Sequence, residues 1–117
     1  MTITEHIRDH IFKTAYKVDS NSYHRMKISE WSTEFETLMR NRLIIGALRY
    51  GKLHAKGKPQ YDRLGRILDA IKLYQEDGNN EHLVDIANMA LLEYEEGAHP
   101  KKHFSASDDK LHTRRIK

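Results

Sequence analysis

Glu81-His82-Leu83-Val84-Asp85-Ile86-Ala87-Asn88-Met89-Ala90-Leu91-Leu92 is the stretch that decides the fold. From Leu83 to Leu92 only Asp85 and Asn88 are polar, so a helix built from it is apolar on nearly every side. Such a helix belongs at the centre of a bundle or in an interface between subunits. At 100° per residue, Glu81, Asp85 and Asn88 share one narrow stripe. Polar groups set into an apolar helix need partners, because burying each without one costs on the order of 1–3 kcal/mol. One reading of the stripe is structural, an Asp–Arg or Asp–Tyr contact that fixes helix packing. The other is a carboxylate stripe for a hard cation such as Mg²⁺, which prefers oxygen ligands.

Working outward, the spacing predicts this helix over 81–95, stopped by Gly97 and His99-Pro100. Asp77-Gly-Asn-Asn ends the helix before it, marked by Leu64, Ile67, Leu68, Ile71 and Tyr74 from near Tyr61 onward. Asp62 with Arg66 and Asp69 with Lys72 stand at spacings that form surface pairs. Further back, Trp31, Phe35, Leu38 and Met39 open another helix that reaches Tyr50. Ser29 or Ser32 is its cap and Gly51 its stop. Ile3, Ile7, Ile11, Ala15 and Val18 predict a first helix over 3–18, with Thr2 and Glu5 at capping-box spacing and Asp19-Ser-Asn-Ser as the turn after it. No segment has strand periodicity. The expectation is an all-α bundle of about four helices, one domain over residues 1–104, followed by a polar, basic tail over 105–117.

The 117 residues suffice for one modest core. Hydrophobic residues make up 38% and charged residues 32%, and no apolar run approaches a membrane span. Met1-Thr-Ile-Thr-Glu-His lacks the layout of a signal peptide, and the chain has no cysteine, which excludes disulfides and thiolate metal sites and points to a cytoplasmic protein. Net charge is +3, unevenly spread. Six cations and no carboxylate lie between Leu38 and Tyr61, while acids concentrate over 62–96. The basic side attracts phosphate or forms a solvated face. His6 with His10, and His99 with His103, lack a third ligand for zinc.

The stretch Arg63-Leu-Gly-Arg-Ile-Leu-Asp-Ala-Ile-Lys, the Gly-Asn-Asn turn and the Glu81 helix together resemble the C-terminal helix pair of small phage-borne MazG-like proteins. The likeness is to the nucleotide modification associated domain 1 group, in which a "D-I-A-N" helix (here Asp85 to Asn88) follows an "R-I" helix (Arg66-Ile67). Tyr50-Gly51 resembles the "Y-G" of the preceding helix, and the likeness covers roughly residues 34–95.

This resemblance implies an oligomeric helical bundle that recognises nucleotides. Active members of the family cleave nucleoside triphosphates to monophosphate and pyrophosphate, using Mg²⁺ held by E-E-x-x-E on one helix and E-x-x-D on a later one. Glu81 and Asp85 stand for the second motif, four apart rather than three. Glu34 and Glu36 stand near the first, but no E-E-x-x-E is present.

That departure favours a phage-type, anti-defence protein that sequesters a nucleotide or nucleotide-derived signal in the host cytoplasm without catalysis and without a cofactor. Its phosphate-binding residues are then Arg42, Arg49, Lys52, His54, Lys56 and Lys58, with Tyr50 to stack on a base. One alternative is a Mg²⁺-dependent nucleoside triphosphate pyrophosphohydrolase, whose metal set is Glu34, Glu36, Glu81 and Asp85. The other is a nucleic-acid-associated accessory protein, against which the modest net charge counts.

Overall fold

The computed structural model describes residues 19–106 and 111–116. Among them are four helices and no strand: α1 (Ser20–Ser29), α2 (Thr33–Tyr50), α3 (Arg63–Asp77) and α4 (Glu81–Glu96). The expected helix over 3–18, with His6 and His10, lies outside the described residues. The chain divides into two compact units, and Ser32–Lys102, carrying α2, α3 and α4, is one of them. The helix α1 and the residues from His103 onward belong to the other. The boundaries between the two units fall at 31/32 and 102/103.

Asp19-Ser-Asn-Ser opens α1 instead of forming a turn. The Asp19 carboxylate accepts from the Ser22 amide at 2.7 Å as an N-cap. An Asx turn and an N-cap use the same side-chain acceptor, which is why four polar residues read equally well as either. Nothing on α1 is buried.

In the larger unit the caps follow local rules. Ser32 Oγ accepts from the Phe35 amide at 3.1 Å and starts α2, so Trp31 stands outside the helix and is exposed. Gly51 ends α2 at φ 106°, a backbone region open to glycine. Asp62 caps α3 by accepting from Gly65 at 3.0 Å, and Gly78, at φ 68°, closes it. Between α3 and α4, Asp77 accepts from the Asn79 amide and Asn79 accepts from the Glu81 amide, which makes the turn a chain of side-chain-to-backbone bonds.

The α4 helix packs against both α3 and α2, as its apolar perimeter requires. Phe35, Met39, Leu43 and Ala47 recur at helical spacing on the covered side of α2, and Arg63, Ile67, Ala70 and Tyr74 on that of α3. Ala70 and Val84 are the fully buried apolar residues. Within 82–92 only Ala90 is exposed, so α4 is covered inside the chain. Among the described residues, uncovered apolar side chains include Ile44, Ile45 and Leu48 on α2, Leu64 and Leu68 on α3, and Tyr94 near the end of α4. No described helix is long and apolar enough to cross a membrane.

Candidate functional site

The polar stripe of α4 has partners on both neighbouring helices. Arg42 of α2 places Nη1 2.7 Å from Glu81 and Nη2 3.1 Å from Asp85. Arg66 of α3 approaches the other Asp85 oxygen at 3.7 Å. Asp85 therefore sits between two guanidinium groups contributed by two helices, with its side chain only 13% exposed. One turn on, Asn88 donates from Nδ2 to the Met39 carbonyl at 3.1 Å. Its Oδ1 is closed off from solvent and has no hydrogen-bond partner. A buried acceptor left this way costs on the order of 1–3 kcal/mol, and such groups in folded proteins call for an explanation.

A second cluster anchors the loop over 51–62. Glu96, at the C-terminus of α4, receives the His54 amide at 2.7 Å, Lys58 Nζ at 3.0 Å and Arg63 Nη2 at 2.8 Å. Of the ionic part, Arg63 is buried, and Glu96 and Lys58 are part-buried. Burial pushes the Glu96 carboxyl up, but the His54 N–H and the Lys58 and Arg63 charges outweigh it and hold it below its ordinary 4.5. His54 is bound at a cost, since its φ of 60° is the left-handed region that a non-glycine residue seldom occupies. Its ring meets Glu95 at 3.2 Å. Two carboxylates at the end of α4 thus hold one loop residue by backbone and ring.

The start of α3 is shaped to bring cations inward. A Cβ at Gly65 would meet the Asp62 carboxylate as it stands, so any other residue there would require the capping side chain to shift. The cap sets Arg63 and Arg66 three residues apart on the same side of the helix. Tyr61, just before it, stands edge-on to Tyr50 with centroids 5.6 Å apart. Arg49 and Arg63 lie 5.9 Å over Tyr50 and Tyr61 respectively.

These elements enclose a cavity of about 530 Å³ between the C-terminal half of α2, the loop, the start of α3 and the middle of α4. That lies within the size range of small-molecule sites. Its wall carries Arg42, Arg49, Lys58, Arg63 and Arg66 against two acids, Asp62 and Asp85, with Tyr50, Tyr61 and Asn88 among the remaining polar groups. Apolar side chains such as Leu43, Met89 and Leu92 complete it.

Of the phosphate-binding residues expected from sequence, Arg42, Arg49, Tyr50 and Lys58 line this cavity, and Lys52, His54 and Lys56 do not. Lys58 is there already bound to Glu96, whereas Arg49 makes no ion pair among the described residues. The carboxylates of the conditional metal set do not gather. Glu36 pairs with Arg40 on its own helix, Glu81 and Asp85 pair with Arg42, and no three of His, Asp or Glu among the described residues come together as a metal site. The surface pair expected between Asp62 and Arg66 gives way to a cap by Asp62 and an approach of Arg66 to Asp85. Arg63, read from sequence only as part of a helix, and Arg66, read as a surface partner of Asp62, are cavity residues. Comparison of the chain with protein-family models, with curated proteins and with solved structures returns no match.

Proposed function

We propose that the unit over residues 32–102 binds a phosphorylated small molecule of nucleotide type in this cavity and holds it without metal-dependent hydrolysis. The observation that carries the reading is the wall itself: five cations and two tyrosines around a space of about 530 Å³. Guanidinium groups fit phosphate oxygens by their planar fork, and tyrosine rings give a base a stacking surface. Arg49 is the first phosphate ligand, since no carboxylate competes for it; Arg42 and Arg66, each more than 40% exposed, turn from Asp85 to share the charge. Lys58 and Arg63 keep the loop in place through Glu96 and add positive potential behind them.

A Mg²⁺-dependent hydrolase is less well supported, because a cation at Glu81 and Asp85 must first displace the Arg42 guanidinium. The resemblance to small phage-borne MazG-like proteins supports a nucleotide ligand, a working oligomer and a role in sequestering a defence signal. The test is native mass spectrometry of the full chain with nucleoside mono-, di- and triphosphates and their cyclic forms. Retention of one such ligand per chain, lost in Arg49→Ala, is the expected result. Failure of every member of the panel to be retained refutes the reading.

A further inference from the structure

Resting on the reading of the cavity as a nucleotide site, we infer that its ligand carries a single phosphate group: a nucleoside monophosphate, linear or cyclic, and not a di- or triphosphate. Four of the five cations on the wall already hold carboxylates. Arg42 pairs with Glu81 at 2.7 Å and with Asp85 at 3.1 Å, and Arg66 approaches the other Asp85 oxygen at 3.7 Å. Lys58 and Arg63 share Glu96 at 3.0 Å and 2.8 Å, in a place where none of the three side chains is more than 10% exposed. Arg49, exposed on α2 and lying over the Tyr50 ring, is the wall cation without an ion pair among the described residues.

These pairings rank the cations by what it takes to recruit them. Arg49 meets a phosphate with its fork free. Arg66 comes next, since 3.7 Å is longer than a hydrogen bond and its side chain is 44% exposed. Arg42 must loosen its hold on two acids, and drawing Lys58 or Arg63 away strips Glu96 of a partner where little water replaces it. One phosphate therefore engages Arg49, and Arg66 and then Arg42 turn to share its charge. A second or third phosphate reaches a cation only by baring Asp85 or Glu96, and a bared carboxylate repels it.

Local charge points the same way. The five cations stand with four carboxylates, Asp62, Asp85, Glu81 and Glu96, which leaves an excess of one positive charge. A phosphate monoester brings about 1.5–2 negative charges near neutral pH, and each further phosphate adds charge that no free cation on the wall meets. Lys52, His54 and Lys56 do not line the cavity. The net charge of +3 on the whole chain pulls the other way, toward the more highly charged ligand. A preference for one phosphate is thus a property of the site and not of the protein's overall field.

The experiment is calorimetric titration of the full chain, in EDTA and at fixed ionic strength, with four nucleosides: adenosine, guanosine, cytidine and uridine. Each is supplied as its 3′,5′-cyclic monophosphate and its 5′-mono-, di- and triphosphate. For the base that binds, the better single-phosphate form should bind at least about threefold more tightly than the di- and triphosphate, a margin the size of an exposed ion pair. A di- or triphosphate that comes within this margin, or binds more tightly, overturns the inference and leaves the nucleotide reading standing. Glu81→Gln, at a half-exposed position, removes one acid and loosens Arg42, so the preference should shrink by about twofold or more. A smaller change also overturns the inference, because something other than the paired cations then sets the number of phosphates. If Glu81→Gln does not fold, judged by its thermal transition, the ratios on the unaltered chain decide alone. Absence of binding to every compound overturns the inference together with the reading beneath it.

Discussion

Arg42 on α2 grips Asp85 on α4 with two atoms, Nε at 3.3 Å and Nη2 at 3.1 Å from the same carboxylate oxygen. The residues are 43 positions apart, and the contact joins two helices through a side chain that is mostly covered on the acid side. Asp85 is thus a structural partner in the first place, and Asp85→Ala leaves Arg66 without a counter-charge and Arg42 with Glu81 alone. Loss of a hydrogen-bonded charge of this kind costs about 1–3 kcal/mol, or a fall of several degrees in Tm for a domain of this size. Differential scanning calorimetry checks it. A Tm unchanged by Asp85→Ala, alongside loss of a Mg²⁺-dependent activity, would give the residue the metal-ligand role instead.

Glu96 has more at stake. Substituting Ala leaves the buried Arg63 without its counter-charge and part-buried Lys58 with only the Lys52 carbonyl, and removes the acceptor that holds His54 at φ 60°. Breaking a buried pair by deleting one side costs roughly 3–5 kcal/mol. The loop over 51–62 should then lose its protection in hydrogen exchange along with a drop in Tm of at least about 10 °C. Protection of the His54 amide equal to that of the unaltered chain would contradict the anchoring role.

The same carboxylate sets an acid limit. The folded Glu96 carboxyl lies below its ordinary 4.5, so as pH falls the unfolded chain takes up the proton first. Stability contributed by this group is therefore complete above about pH 5 and declines as pH falls through 4.5 and beyond. Asp77, lowered by the Asn79 amide and the His82 ring, and Asp19, lowered by the Ser22 amide, act in the same direction. Thermal melts between pH 7 and pH 3 should show this decline, and Glu96→Gln should make it shallower. A melting temperature that rises on acidification would contradict the assignment.

The parts legible in the sequence are those that depend on neighbours along the chain. Ser32, Gly51 and Gly78 act within four residues of themselves, and helical periodicity placed α4 between its neighbours. Asp19 shows the limit of such reasoning, because a turn and a cap share one acceptor chemistry. The site depends on distance in three dimensions. Nothing in composition pairs Lys58 with Glu96 across 38 residues, and a basic loop read as free cations proves to contain two residues, His54 and Lys58, already engaged by the end of α4.

Exposed apolar side chains on α2 and α3 carry the assembly prediction. Ile44 and Leu48 stand four apart on α2 at 62% and 84% exposure, and Leu64 and Leu68 four apart on α3 at 57% and 67%. Each exposed leucine or isoleucine forgoes on the order of 1.5–3 kcal/mol that burial would supply, and a second copy presenting the same stripes is self-complementary to them. Sedimentation equilibrium at micromolar concentration should give a dimer or larger species, shifted to monomer by Leu48→Asp or Leu68→Asp. A clean 13.8 kDa monomer for the unaltered chain would defeat it.

Whether the cavity holds its ligand by protein cations or by a metal is decided by salt and chelator. Exposed arginines act through screened charge, with a Debye length of roughly 10 Å at 0.1 M salt. Affinity for the retained nucleotide should therefore fall steadily from 50 to 500 mM NaCl and stay unchanged in EDTA. Arg49→Ala and Arg66→Ala should each weaken binding by about 1.5–3 kcal/mol, the worth of a hydrogen bond to a charged group. Lys56→Ala, which removes a cation of the same loop that does not line the cavity, should leave it unaltered. A hydrolase behaves in the opposite way: function is lost in EDTA and returns with Mg²⁺ as pyrophosphate is released. Steady pyrophosphate release from any nucleoside triphosphate, abolished by Glu81→Ala or Asp85→Ala at a temperature where both variants remain folded, would replace the binder with an enzyme.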